Sequence, residues 1–187
     1  MYKRQVYNRK RGFATMDFIE IAKKRSSVRG YKDRKVEEEK LKKILEAAHV
    51  APTAANLQPV RLIVVQSSEG LAKIGKGANL YGAPLAVIVC ADHGKAWVRP
   101  FDKKQTADID ASILTDHMML QATELGLGSV WICYFKPDVI SREFGLPENL
   151  EPVNILAVGY SDEEAADPER HSQTRIPVEE LVSYETV

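Results

Sequence analysis

The sequence predicts a single α+β domain. Segments 36–50 and 108–125 repeat apolar residues at helical spacing, while 60–65, 84–91 and 153–160 are short β-rich or wholly apolar runs. The two kinds of element mix without regular strand–helix alternation, and that order points to α+β. The chain has 187 residues, 44% of them hydrophobic and 28% charged, which is ordinary for one domain with a real core. No linker or internal repeat divides it.

The elements follow in order. Residues 17–24 read as a helix, with Asp17 and Glu20 at the spacing of a cap and its third-position acid and Phe18, Ile21 and Ala22 on one face. Segment 36–50 is the cleanest helix. Leu41, Ile44, Leu45 and Ala48 line its apolar face, Glu37, Glu38 and Glu39 crowd its first turn, and Pro52 stops it. Strand 60–65 comes next, then a short helix at 70–74 and a glycine-punctuated loop at 75–79. Strand 84–91 is apolar on both faces and therefore buried. Residues 92–104 form a charged, irregular loop that holds Trp97 and Phe101.

Segment 108–125 is the longest helix. Its apolar residues spread over more than half the circumference, so it should be covered on more than one side. Gly126 and Gly128 terminate it. Strand 129–133, a helix at 138–144 capped by Asp138, strand 153–160, an acidic loop at 161–171 and a tail with a short turn of helix after Pro177 complete the chain.

Composition narrows the function. Residues 1–15 contain Lys3, Arg4, Arg9, Lys10 and Arg11 and no acid, and read as a disordered basic leader; the folded domain is expected at 16–187. Setting those five aside leaves 21 Lys and Arg against 26 acids, so the body is about −5 and offers nucleic acid no electrostatic footing. No apolar run is long enough for a bilayer, and the leader lacks the apolar core of a secretory signal. Cys90 and Cys133 lie in apolar runs without a Cys-x-x-Cys, so both are expected as buried free thiols in a reducing, cytoplasmic setting. His49, His93, His117 and His171 share no metal-ligand spacing, so no metal is expected. Gly126-Leu127-Gly128 follows a helix, not a strand, and is no dinucleotide fingerprint.

The chemistry gathers around Arg25-Ser26-Ser27-Val28-Arg29, where a helix gives way to a loop. Two guanidinium forks and two hydroxyls suit a phosphate, although such residues also solvate ordinary helix ends. Downstream stand Ala51-Pro52-Thr53-Ala54-Ala55-Asn56-Leu57-Gln58-Pro59 before a strand, then Leu125-Gly126-Leu127-Gly128-Ser129-Val130-Trp131, then Thr174-Arg175-Ile176-Pro177. In this order and spacing, over roughly residues 17–183, the chain resembles the FMN-dependent nitroreductase family.

The resemblance implies a central, mostly antiparallel sheet flanked by helices, and an intertwined homodimer with FMN sites built from both subunits. It implies that Arg25, Ser26, Ser27, Arg29 and Arg175 surround the FMN phosphate or the polar edge of the ring. Gln173 stands where many members have a second base. Pro52, Thr53, Ala54 and Asn56 match a loop that reaches the partner's flavin. Thr53 and Ala54 replace two serines there, which leaves the backbone donors to act; Asn56 could equally be a turn residue. Asn79 is a candidate for the pyrimidine edge. Trp131, Ile132 and Cys133 match the strand end that packs on the flavin, with Cys133 where larger members have Glu. Tyr81, Trp97 and Phe101 are candidates for a substrate lid, against the alternative of loop packing.

No nucleophile or acid–base pair is expected, because a flavin carries its own electron chemistry. The implied activity is ping-pong: NADH or NADPH delivers hydride, and a nitroaromatic, quinone-like or other small aromatic acceptor takes two electrons. A flavin carrier without turnover, a reductive dehalogenase-like branch of the same fold, and an interaction protein using its charged tail are the rivals.

Overall fold

The computed structural model describes residues 17–186; the expected basic leader lies outside them. The elements are α1 (Phe18–Lys24), α2 (Glu38–His49), β1 (Val60–Val65), α3 (Ser68–Gly75), β2 (Leu85–Asp92), α4 (Ala107–Glu124), β3 (Gly128–Ile132), α5 (Pro137–Phe144), β4 (Leu150–Gly159), α6 (His171–Thr174) and α7 (Val178–Leu181). The four strands form one sheet in the order β1-β2-β4-β3, and every pairing in it is antiparallel.

The sheet is the middle of three layers. Along β2, Leu85, Val87 and Val89 face α2 and α4, where they meet Leu41, Ile44, Ala111, Leu114 and Met118. Ala86, Ile88 and Cys90 point the other way, towards Ile74 of α3 and Ile140 of α5. Period-two alternation therefore supplies both cores, and it explains why β2 carries no polar residue before Asp92. Ser67 starts α3 by accepting the Gly70 N–H at 3.1 Å, and Gly145, at φ 63°, ends α5.

Helix α4 crosses the sheet and contacts all four strands. One side is core. The other carries Ile109, 51% exposed, and farther along Leu120, which with Phe18 and Ile21 of α1 and Ala47 and Val50 of α2 walls a groove of about 760 Å³. Among the described residues this outer side of α4 is left partly uncovered.

Several local expectations need correction. Lys136 occupies the N-cap position of α5 without a side-chain cap bond, and Pro137 opens the first turn, so Asp138 is already inside the helix. Asp17 precedes α1 but makes no side-chain cap bond, and α1 buries none of its residues. The acidic loop after β4 holds a 3-10 turn at Pro168–Arg170 that runs into α6; Asp167 starts the turn by accepting the Glu169 N–H at 2.9 Å. Cys90 is buried, whereas Cys133 is exposed. The β3–β4 ladder ends at Ile132↔Ile155, and Cys133 lies beyond it with no strand above.

Candidate functional site

The Arg25–Arg29 stretch leaves α1 in extended form and joins the free edge of β3. Ser27 bridges Ser129 in parallel, and the Val28 N–H reaches the Ser129 carbonyl at 3.0 Å. This close approach explains Gly128. A Cβ there would lie 2.7 Å from a Val28 methyl, so Gly128 serves packing, while Gly126, at φ 73°, ends the helix. Val28 enters the core. Arg25 Nη1 reaches Ser27 Oγ at 3.4 Å and Arg29 Nη1 reaches the Ser27 carbonyl at 3.5 Å, so these three side chains form one group. Ser26 lines a separate cleft of about 170 Å³ with Thr123, Gly126 and Glu163.

A cation that the sequence reading missed completes the group. Arg170 Nη2 donates to the Arg25 carbonyl at 2.6 Å, and Nη1 donates to the carbonyls of Lys23 at 3.0 Å and Asp167 at 2.8 Å. These bonds pin the segment carrying Arg175 to the end of α1. Burial, then the charges of Arg170 and Arg175, push the Arg25 pKa below its usual value, with Asp116 of α4 pulling weakly the other way. Among the described residues, Arg25, Arg29, Arg170 and Arg175 form no ion pair with a carboxylate. Arg25, partly buried and repelled by two neighbouring guanidiniums without an ion pair, calls for an external anion, and forked donors suit a phosphate.

The Arg29 guanidinium lies 6.0 Å from the Tyr81 ring centre, so Tyr81 joins this group. Asn79 Oδ1 accepts the Tyr81 N–H at 2.8 Å in an Asx turn, with Tyr81 at φ 57°; the Asn79 carbonyl oxygen is therefore committed locally. Trp131 faces α4 and lines a groove of about 610 Å³ with Ile109, Ser112, Asp116 and His117. Its Nε1, and Ser129 Oγ two residues earlier on the same face, are buried without a hydrogen-bond partner among the described residues. Ile132 is core on the opposite face, which leaves its backbone as the part a ligand could meet. Among the described residues no cluster of His, Cys, Asp and Glu is placed to hold a metal, and no helix is long and apolar enough to cross a membrane.

The second set of expected residues lies elsewhere. Pro52, Thr53, Ala54 and Asn56 precede β1, at the other edge of the sheet from β3. Three strand spacings separate those edges, roughly 14 Å. Ala55, Asn56 and Gln58 have φ of 49°, 53° and 53°, at about 1 kcal/mol of strain each for non-glycine residues. The Ala54 N–H, expected to be open to a ligand, is taken at 2.8 Å by Asp110 Oδ1. The expected irregular loop after β2 is a projecting hairpin. Val98 bridges Gln105, the Arg99 N–H meets the Lys104 carbonyl at 2.9 Å, Arg99 pairs with Asp102, and Phe101 at the tip is 93% exposed. Trp97 sits at its base, where its carbonyl accepts the Thr106 N–H at 3.1 Å. Among the described residues, then, the arginine group and the 53–58 loop flank α4 from different sides and do not meet.

Comparison with known proteins gives this arrangement a family. The model of the Nitroreductase family matches residues 22–79 and 75–160. A solved nitroreductase family protein from Clostridium difficile 630 is 62% identical and superposes with a TM-score of 0.90, covering 92% of this chain and all of that one. An FMN-dependent nitroreductase from Clostridium difficile R20291 is 34% identical with a TM-score of 0.76, covering 90% and 99%. An FMN reductase [NAD(P)H] of Bacillus subtilis is 29% identical over 184 residues, spanning 84% of this chain and 74% of its own length. With one family model matching most of its length and a close structural relative over nearly all of it, this chain belongs to the Nitroreductase family.

Proposed function

We propose that the chain is an NAD(P)H-dependent oxidoreductase that holds FMN and passes two electrons from NADH or NADPH to a small nitroaromatic or quinone-like acceptor by a ping-pong route. The observation that carries this reading is the set of arginines around Arg25, none of them in an ion pair among the described residues, on a nitroreductase sheet edge. Bound there, FMN supplies the two-electron chemistry. The chain's own residues bind and orient. Arg25 and Arg175 meet the phosphate dianion, Ser27 adds a hydroxyl, and Arg170 holds both segments in place through backbone carbonyls. Arg29 and Tyr81 flank the group on its outer side. Trp131 offers an unsatisfied indole N–H beside the α4 groove.

The site is completed by a second copy. The 53–58 loop sits too far from the arginines of its own protomer, one groove beside α4 exposes Phe18, and another along the same helix exposes Ile109. A twofold axis near α4 covers both apolar faces and carries each 53–58 loop to the partner's β3 edge. The localisation that fits is the cytoplasm, with its reducing nicotinamide pool and free thiols.

The test is direct. Purified protein reconstituted with FMN should be a yellow dimer with one flavin per protomer, and should consume NADH or NADPH once a nitroaromatic or quinone is added. A monomer that takes up no FMN would end this reading. A yellow dimer inert with every nicotinamide and acceptor pair would be a carrier.

A further inference from the structure

The loop before β1 follows a path that its own sequence does not favour. Ala55, Asn56 and Gln58 are all left-handed, and none is glycine. Besides the backbone bonds within the turn, three bonds involving side chains hold it: Ala54 N–H to Asp110 Oδ1 at 2.8 Å, Gln58 N–H to Thr53 Oγ1 at 3.1 Å, and Gln58 Nε2, which reaches both the Asn56 carbonyl at 3.3 Å and Asn56 Oδ1 at 3.4 Å. Of these three, the first alone comes from outside the loop. Asp110 is 1% exposed, in the first turn of α4, where the helix dipole favours an acid. Its other oxygen accepts from Thr106 Oγ1 at 3.3 Å, and the Thr106 N–H is bound to the Trp97 carbonyl at the base of the hairpin. Burying a carboxylate is costly unless hydrogen bonds answer it, and here the Ala54 N–H and the Thr106 hydroxyl do so.

We propose that Asp110 is a positioning residue for the flavin site: by holding the Ala54 N–H it presets the 53–58 loop before ligand arrives, so FMN affinity depends on a side chain that acts only through Ala54. Preorganisation of this kind removes the ordering cost from the binding step. The inference rests on the reading that this loop meets the flavin, and its test separates the two.

The experiment compares wild type with Asp110→Ala and Asp110→Asn. Hydrogen exchange across residues 52–58 is followed in FMN-free protein, FMN titrations are read by flavin fluorescence, and the visible circular dichroism of bound FMN reports its seating. In Asp110→Ala the loop should exchange faster and the FMN dissociation constant should rise about tenfold, the usual penalty for orphaning a buried donor. Asp110→Asn, whose amide oxygen still accepts, should recover most of both and restore the dichroism. Unchanged exchange in Asp110→Ala overturns the proposal whatever happens to binding. Faster exchange with unchanged FMN affinity overturns it too, and also removes the loop from the flavin site. Wild type that binds no FMN brings down the functional reading first. If Asp110→Ala does not fold, Asp110→Asn and Thr106→Val carry the test. Both should give smaller shifts in the same direction, and wild-type values in both overturn the proposal.

Discussion

The Arg25–Arg29 segment and the 53–58 loop serve opposite edges of one sheet and solve opposite problems. The first has an easy backbone and uneasy side chains. It is extended, bonded to β3, and seated by Gly128, yet Arg25 is repelled by Arg170 and Arg175, with no ion pair and only the weaker field of Asp116 to answer them. The second has contented side chains and an uneasy backbone, with Thr53, Asn56 and Gln58 bonding one another around three left-handed residues. The difference separates a place that awaits a ligand from a place built to frame one. The first is recognised by a missing partner and the second by strain held from outside.

The sharpest way to break this contrast is Arg25→Ala. If the arginines await an anion, FMN affinity should fall about a hundredfold, as expected for losing one charge-assisted, forked contact. Stability of the FMN-free protein should hold or rise, because a repelled charge has gone. Titration and thermal melts on the same preparation check both. A destabilised apoprotein with intact flavin affinity would make Arg25 a structural residue and collapse the distinction.

Gly128→Ala attacks the backbone that the first region takes for granted. The new methyl would press on Val28 from 2.7 Å. Overpacking of this kind costs about 2 kcal/mol, or about 4–8 °C in Tm for a chain of this size. Flavin affinity should fall with it as the segment lifts from β3. Adding Val28→Ala makes room and should return much of the lost Tm; failure to do so would mean that the segment is not held where the bridge puts it.

A smaller effect is expected at the second region. Ala55→Gly relieves a left-handed residue, offset in part by the greater freedom of glycine in the unfolded chain. The net gain should be about 0.5 kcal/mol, read as a higher denaturant midpoint, with FMN affinity no better than wild type. A loss of stability would show that the loop is not strained there.

How much of this was legible in the sequence follows the same division. β1 and β2 were readable because their apolar runs are short and bounded, and α4 because its apolar residues encircle it. The Arg25–Arg29 cluster announced itself by composition. Arg170 did not, since it lies in an acidic stretch and matters only because Asp167 starts a turn that swings it onto the carbonyls of α1. Asp110 carries no local signal beyond being an acid in a helix's first turn, and its bond to Ala54 spans 56 residues. Cys133 was misjudged because an apolar run does not reveal where its ladder stops. Pairings across long sequence separations, rather than local patterns, hold what was missed.

The weakest expected effect concerns the hairpin that stands beside the second region. His93 Nδ1 lies 2.7 Å from Gln105 Oε1, and Nε2 lies 2.6 Å from Glu151 Oε2, so both ring nitrogens face oxygens. Only the imidazolium can donate to both. Accordingly the Gln105 bond, then the Glu151 bond, raise the His93 pKa above its usual 6.5, with Asp108 adding to the field. A raised folded-state pKa stabilises most fully below the unfolded value, and that contribution fades as pH climbs through the folded one. Gln105 belongs to the hairpin and Glu151 to β4, so the ring ties the Phe101 arm to the sheet. The pair is largely exposed, which keeps the effect well under ~1 kcal/mol. Exchange of the 97–105 amides, corrected for intrinsic base catalysis, should quicken as pH rises above neutrality, and His93→Gln should flatten that dependence. Equal slopes in wild type and variant would mean that the latch carries nothing, and the hairpin would then be held by Thr106, the Val98–Gln105 bridge and the bonds of Arg99 to Lys104 and Asp102.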